Sequence, residues 1–106
     1  MQRPFQTASR SVTVIVRQAA RRDLDDIFDW ISKDSPRAAQ VMVSRIMLSV
    51  NRLAIPGLAY MGRPGLVAGT RELLEPPYII VYRVDDQAEQ VVVLGILHGA
   101  RQRDDS

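Results

Sequence analysis

The chain has 106 residues, a formal net charge of +2 and no cysteine. This length suits one domain with a single modest core, and 46% apolar with 25% charged residues is ordinary for a globular domain, which argues against a disordered chain. The apolar run from Val91 to Leu97 is far shorter than the roughly 20 residues of a transmembrane helix, and one histidine without cysteines excludes multi-histidine and zinc–thiolate sites.

The two ends of the chain are expected to differ from its middle. Residues 1–11 are polar and unpatterned, which predicts a flexible N-terminal arm. Residues 12–101 should form the domain, and residues 102–106 a short polar tail. The arm contains no apolar stretch as long as a signal peptide requires, so we expect a cytoplasmic protein without membrane contact. Neither a metal nor a cofactor is expected.

The first half of the sequence predicts one strand and two helices. The β-branched sequence SVTVIV (residues 11–16) is typical of a strand. From about residue 19 to 32, apolar residues recur at intervals of three and four, which predicts an amphipathic helix. Ser35 and Pro36 then suit the N-cap and first position of a second helix reaching about residue 54. The two apolar stripes are Ala20, Leu24, Ile27, Phe28 and Ile31, and Ala39, Val43, Ile46, Val50 and Leu53. A short turn between the helices predicts an antiparallel hairpin.

The second half predicts a loop followed by strands. IPGLAYMGRPG (residues 55–65) is rich in proline and glycine, which indicates a surface loop without regular structure. TRELLE, YIIVYRV (78–84) and QVVVLGIL (90–97), joined by short turns, predict an antiparallel meander. The last strand is apolar on both faces, so it should be either central or covered, and the first strand is a candidate to pair beside it. The predicted fold class is therefore α+β: a strand, an antiparallel two-helix hairpin packed on the sheet, and a three-stranded meander.

Charge is distributed unevenly along the chain. Between residues 23 and 34 there are five aspartates and one lysine, whereas residues 35–71 contain five arginines and no acid. Complementary charge guides association, so we expect the acid-free segment to meet an acidic partner.

His98, at the end of the last predicted strand, is the main candidate for chemistry. With Arg101 nearby and Arg71 or Arg83 on neighbouring strands, it has the groups needed for metal-free RNA cleavage. The imidazole would move a proton, and the guanidinium groups would stabilise charge on the phosphorane. The alternative is a structural histidine that caps the sheet through hydrogen bonds. The residues alone leave both interpretations open.

Four sequence segments carry a resemblance to a known family. AARRDLDDIFDWI in the first helix, GTREL at 69–73, PPYIIVYRVDD at 76–86 and ILHGAR at 96–101 together resemble the RelE/ParE superfamily of bacterial type II toxins. The resemblance implies a cognate antitoxin as partner and one of two activities. RelE-like members bind the ribosomal A site and cleave mRNA without a metal, whereas ParE-like members inhibit DNA gyrase.

Departures from the RelE-like pattern favour the ParE-like branch. RelE-like ribonucleases usually place an arginine where this chain has Ile79, and a tyrosine or histidine in a tail that here reads RQRDDS. We therefore expect a gyrase inhibitor that acts by binding. A ribosome-dependent mRNA endoribonuclease and a non-toxic interaction module remain the alternatives.

The predicted site residues follow from these hypotheses. The candidate target-binding residues are His98, Arg101, Arg103 and Arg71, and the candidate antitoxin-binding residues are Arg45, Arg52 and Arg63. If the protein is a ribonuclease, the candidate catalytic residues are His98, Arg83 and Arg101.

Overall fold

The fold is described by a computed structural model for residues 12–100. Its elements in chain order are β1 (Thr13–Val16), α1 (Gln18–Ser32), α2 (Pro36–Arg52), β2 (Arg63–Pro64), β3 (Arg71–Glu75), β4 (Tyr78–Asp85) and β5 (Gln90–His98). The strands form one sheet in the order β1, β5, β4, β3, β2. The predicted α+β class, with its helical hairpin and meander, is confirmed. The predicted arm (1–11) and tail (102–106) lie outside the described residues.

The sheet combines an antiparallel meander with one parallel pair. Strands β3, β4 and β5 pair antiparallel in sequence, and β1 runs parallel to β5, from Thr13 beside Gln90 to Val16 beside Val93. The apolar last strand is thus interior along its first half, as predicted. The pairing of β5 with β4 changes register between Val93 and Gly95. Just past this shift, the backbone N–H of Ile96 donates to the carboxylate of Asp23 on α1, at a distance of 2.9 Å. This bond joins α1 to the sheet.

The second helix begins as predicted and ends slightly earlier. The Ser35 hydroxyl accepts the backbone N–H of Ala38 at 3.1 Å, and Pro36 occupies the first turn. The helix ends at Arg52 instead of about residue 54. Proline disfavours helical backbone at the residue before it, so Pro56 prevents the helix from continuing through Ile55.

The core lies between the two helices and one face of the sheet. Both predicted helical stripes are buried toward it except at Phe28, which was predicted to face the core and is 37% exposed. Strands β4 and β5 supply most of the other half. The largest fully buried side chains are Tyr82, Ile46, Leu53, Ile80, Val50, Val91 and Val93. Neither helix in the described range is long and apolar enough to cross a bilayer.

The segment between α2 and β3, residues 53–70, differs from the irregular loop that was predicted. It contains the two-residue strand β2, which pairs with the start of β3 at the edge of the sheet. Proline has no N–H to donate, so Pro64 is tolerated in a strand at such an edge. Residues 53–70 are called the anchored loop below, because side chains of β3 and β4 bind its backbone.

Candidate functional site

His98 lies at the end of β5, opposite Tyr78 of β4. The two rings meet edge to face, with centroids 5.4 Å apart and an interplanar angle of 81°. The backbone N–H of Ala100 donates to Nδ1 of His98 at 3.2 Å. His98 therefore makes contacts suited to a residue that closes the end of the sheet.

Arg83 does not lie near His98. Arg83 pairs with Val92 of β5. It lies five residues along β4 from Tyr78, a separation of roughly 16 Å at ~3.3 Å per residue. Tyr78 faces the core, so Arg83, an odd number of residues away, projects from the opposite face of the sheet. The structure therefore separates His98 from Arg83 both along the sheet and across it.

Arg71 is also distant from His98. It pairs with Tyr82, four residues along β4 from Tyr78, a spacing of roughly 13 Å. Among residues 12–100, neither arginine of a neighbouring strand joins the histidine, and no three His, Asp or Glu side chains are grouped to hold a metal. The other two predicted site residues, Arg101 and Arg103, lie outside the described residues.

Arg71 instead holds the anchored loop against β3. Its Nη2 donates to the backbone carbonyl oxygens of Tyr60, at 2.9 Å, and of Gly62, at close range. The guanidinium carbon also lies 5.2 Å from the centre of the Tyr60 ring, in a cation–π contact. Arg71 was predicted to bind the target. Its Nη2 is occupied by these contacts within the chain, whereas its buried Nε has no hydrogen-bond partner among the described residues.

Tyr82 holds the same loop from β4. Its buried hydroxyl donates to the carbonyl oxygen of Ala59 at 2.8 Å and accepts the backbone N–H of Gly62 at 3.1 Å. A Cβ atom at Gly62 would lie 2.5 Å from the carbonyl oxygen of Glu72 and 2.7 Å from the Tyr82 hydroxyl. Only glycine fits at this position without displacing the sheet.

Glu72 fixes the tip of the loop. Its side chain is only 5% exposed, and its Oε1 accepts Nε and Nη2 of Arg63 at 3.1 and 3.0 Å. Its Oε2 accepts the backbone N–H of Leu66 at 3.4 Å. Between these contacts and β3, Gly69 has a positive φ of 85°, a conformation that favours glycine. The tip of the loop, between Arg63 and Gly69, presents Leu66 and Val67 to solvent.

Tyr60 links the loop to the turn after β4. Its hydroxyl donates to Oδ2 of Asp86 at 2.6 Å. This hydrogen bond is the main cause of a raised pKa for Tyr60. Desolvation and the negative charge of Asp86 act in the same direction, and Arg71 opposes them.

The three predicted antitoxin-binding arginines differ in their surroundings. Arg45 on α2 donates to Oε2 of Glu75 at 3.1 Å and keeps half of its side chain exposed. Arg63 is paired with Glu72 as described, whereas Arg52 is exposed and forms no ion pair within residues 12–100. The outer side of α2 also exposes Val41 and Leu48.

The sequence did not identify the residues that anchor the loop. That Tyr82 and Glu72 bind the loop was not predicted, since neither residue type reveals that its partner will be a loop backbone atom. One signal was present: Leu66 and Val67 form an apolar pair inside a glycine-rich and proline-rich loop, where they belong to no apolar stripe.

A two-helix hairpin on one face of this sheet is the arrangement of the RelE/ParE class of toxins. A family model, described as the ParE toxin of the type II toxin–antitoxin system parDE, matches residues 14–103. The chain therefore belongs to the ParE toxin family of type II toxin–antitoxin systems, and the predicted membership of the RelE/ParE superfamily is confirmed.

Individual proteins agree with this assignment. A Sinorhizobium fredii protein named "Putative toxin Y4kP" is 41% identical over 85 residues, which are 78% of this chain and 83% of the relative. A chain of the chromosomal ParDE system from P. aeruginosa is similar with a TM-score of 0.73 and 29% identity, covering 85% of this chain and 98% of its own. A chain of the toxin–antitoxin complex RelBE2 from Mycobacterium tuberculosis has a TM-score of 0.52 and 29% identity, covering 85% and 93%.

Proposed function

We propose that this toxin acts in the cytoplasm by binding DNA gyrase and blocking its cycle, without performing a reaction itself. The observation that carries the proposal is the separation of His98 from Arg71 and Arg83. Metal-free RNA cleavage needs an acid, a base and charge stabilisation at one phosphate, and loss of an acid or base typically costs ~10²–10⁴-fold in rate. Residues 12–100 bring together no such set.

Similarity to known toxins supports the same branch. At equal sequence identity, the fold is closer to the ParDE chain than to the RelBE2 chain. The matching family model is also that of ParE. Both comparisons favour gyrase over the ribosome as the target.

We further propose that a cognate antitoxin neutralises the toxin by covering α2. Both solved relatives come from toxin–antitoxin systems. The outer side of α2 carries Arg45 and Arg52 beside the exposed side chains of Val41 and Leu48. An amphipathic segment with acidic flanks complements this surface, with apolar contacts supplying affinity and charge accelerating association. The association rate should therefore fall as salt is raised.

Pulse-labelling after induction of the chain without its antitoxin tests the proposed activity. DNA synthesis should fall within the first minutes, before protein synthesis changes. An earlier fall in protein synthesis would support the ribonuclease alternative and direct mutagenesis to His98. Harmless expression would support an interaction module without toxicity.

A further inference from the structure

Exposed apolar side chains are concentrated on the anchored loop. Of the twelve large apolar side chains that are exposed in residues 12–100, five lie between residues 55 and 67. They are Ile55, Tyr60, Met61, Leu66 and Val67. Leu66 and Val67 are the most exposed of all twelve, at 75% and 68%. A cluster of this kind commonly marks a contact with another macromolecule.

The loop that presents this cluster is held in one conformation. Arg71, Tyr82 and Glu72, all on β-strands, bind backbone atoms of residues 59 to 66. The hydroxyl of Thr70 also donates to the carbonyl oxygen of Val67 at 2.6 Å. A loop that is ordered before binding loses less conformational entropy in a complex, so its apolar tip can contribute more to affinity.

The charges around the tip indicate the chemistry of its partner. The only charged residue of the anchored loop is Arg63, which is paired with Glu72, and Arg71 beside it is bound to carbonyl groups. Nucleic-acid binding depends on several cations that contact phosphates, whereas the described tip offers only Arg63, which is half-exposed and already paired with Glu72. The apolar tip complements an uncharged pocket on a protein, in contrast to the basic outer side of α2.

We propose that Leu66 and Val67 enter an apolar pocket of the protein that the toxin inhibits. This inference rests on the proposed function, since it assumes that the toxin acts by binding a protein target. It divides the molecule into two surfaces, with the loop tip contacting the target and the outer side of α2 contacting the antitoxin.

Matched double variants test the loop. Leu66→Asp with Val67→Asp places charge in the proposed contact, and Leu66→Ala with Val67→Ala shortens both side chains without adding charge. Trp30→Asp on α1 is the control, because that side chain is comparably exposed, at 64%, and belongs to neither proposed surface. All variants are purified with the antitoxin, freed from it, and compared by thermal unfolding, growth arrest and inhibition of gyrase supercoiling.

The loop variants should fold normally but act weakly. We expect the half-inhibiting concentration to rise at least about 30-fold for the aspartate pair and about tenfold for the alanine pair, because anchor residues dominate binding energy. The control should stay within about threefold of the unmodified chain. Inhibition should also depend little on salt, whereas a steep salt dependence would indicate nucleic acid and overturn the inference.

Other outcomes separate this inference from the proposed function. Unchanged growth arrest by both loop variants would overturn it, as would an equal loss in the α1 control. If the aspartate pair lowers the unfolding temperature, its activity is not informative, and the activity of the alanine pair tests the inference instead. If the unmodified chain arrests growth without affecting gyrase, the proposed function fails and growth arrest by the loop variants still decides the inference. A chain that never arrests growth contradicts both.

Discussion

Two buried tyrosines on the same face of β4 show how differently the two ends of the sheet are built. The hydroxyl of Tyr82 bonds two backbone atoms of the anchored loop, whereas that of Tyr78 makes no hydrogen bond within residues 12–100. Tyr78 instead packs its ring against His98. Polar contacts thus fix the loop end, and ring packing closes the histidine end. A binding surface that needs defined geometry is therefore better placed at the loop end.

The largest effect should come from filling the space beside Gly62. Gly62→Ala forces its methyl group against the Glu72 carbonyl and the Tyr82 hydroxyl, and such overpacking costs about 2–3 kcal/mol. Gly57→Ala is the control, since a Cβ there meets nothing within 4 Å and its positive φ costs only about 1 kcal/mol. Urea denaturation should show the difference, and equal losses would mean that the loop is not held against the sheet.

Removing each tyrosine hydroxyl compares the two ends directly. Tyr82→Phe leaves the buried Ala59 carbonyl and Gly62 N–H without a partner, which should lower the free energy of unfolding by about 1–2 kcal/mol. Tyr78→Phe should change it by less than about 0.5 kcal/mol. Similar losses at both positions would contradict the contrast between the ends.

Two carboxylates allow a finer comparison. Glu72→Gln replaces a buried charge that binds Arg63, and Glu75→Gln replaces a more exposed one that binds Arg45. Because both arginines are about half exposed, solvent weakens these pairs, and we expect losses of about 1 kcal/mol for Glu72→Gln and a few tenths for Glu75→Gln. Amide exchange at Leu66 should accelerate only in the Glu72 variant. Acceleration in both would mean that Glu72 does not fix the tip.

The smallest effect concerns ionisation of Tyr60. The hydrogen bond to Asp86 raises its pKa above the ordinary value of 10.0, so Asp86→Asn should lower it again. Since the folded pKa is the higher one, this bond's stabilisation is present below pH 10 and is lost as the pH rises through the folded pKa. Ultraviolet titration of the phenol measures the change. An unaltered titration curve would show that the bond does not form in solution.

The fold was predictable because each element has a strong local signal. The stripes of the two helices have the helical period, Ser35 and Pro36 mark the start of α2, and β-branched runs mark the strands. Strand β5 is apolar on both faces, with Val91 and Val93 on one and Val92 on the other. This pattern predicted a central or covered strand, and β5 does lie between β1 and β4.

The site was less predictable because it depends on register and on backbone partners. The distance between His98 and Arg83 follows from pairings across the β5 register shift, which has no signature in the sequence. Arg71 was predicted to bind the target because an arginine side chain is suited to binding an external ligand. Its partners are instead backbone carbonyl groups, which every residue has and which therefore leave no signal in the sequence. The binding of the loop by Tyr82 was not predicted for the same reason.

The proposed activity of this ParE-family toxin is inhibition of gyrase by binding. The most direct measurement is ATP-dependent supercoiling of relaxed plasmid by purified gyrase, titrated with the toxin and repeated with its antitoxin. We predict loss of supercoiling as toxin is added and recovery when the antitoxin is added. Undiminished supercoiling at excess toxin, together with cleavage of mRNA on ribosomes, would contradict the account.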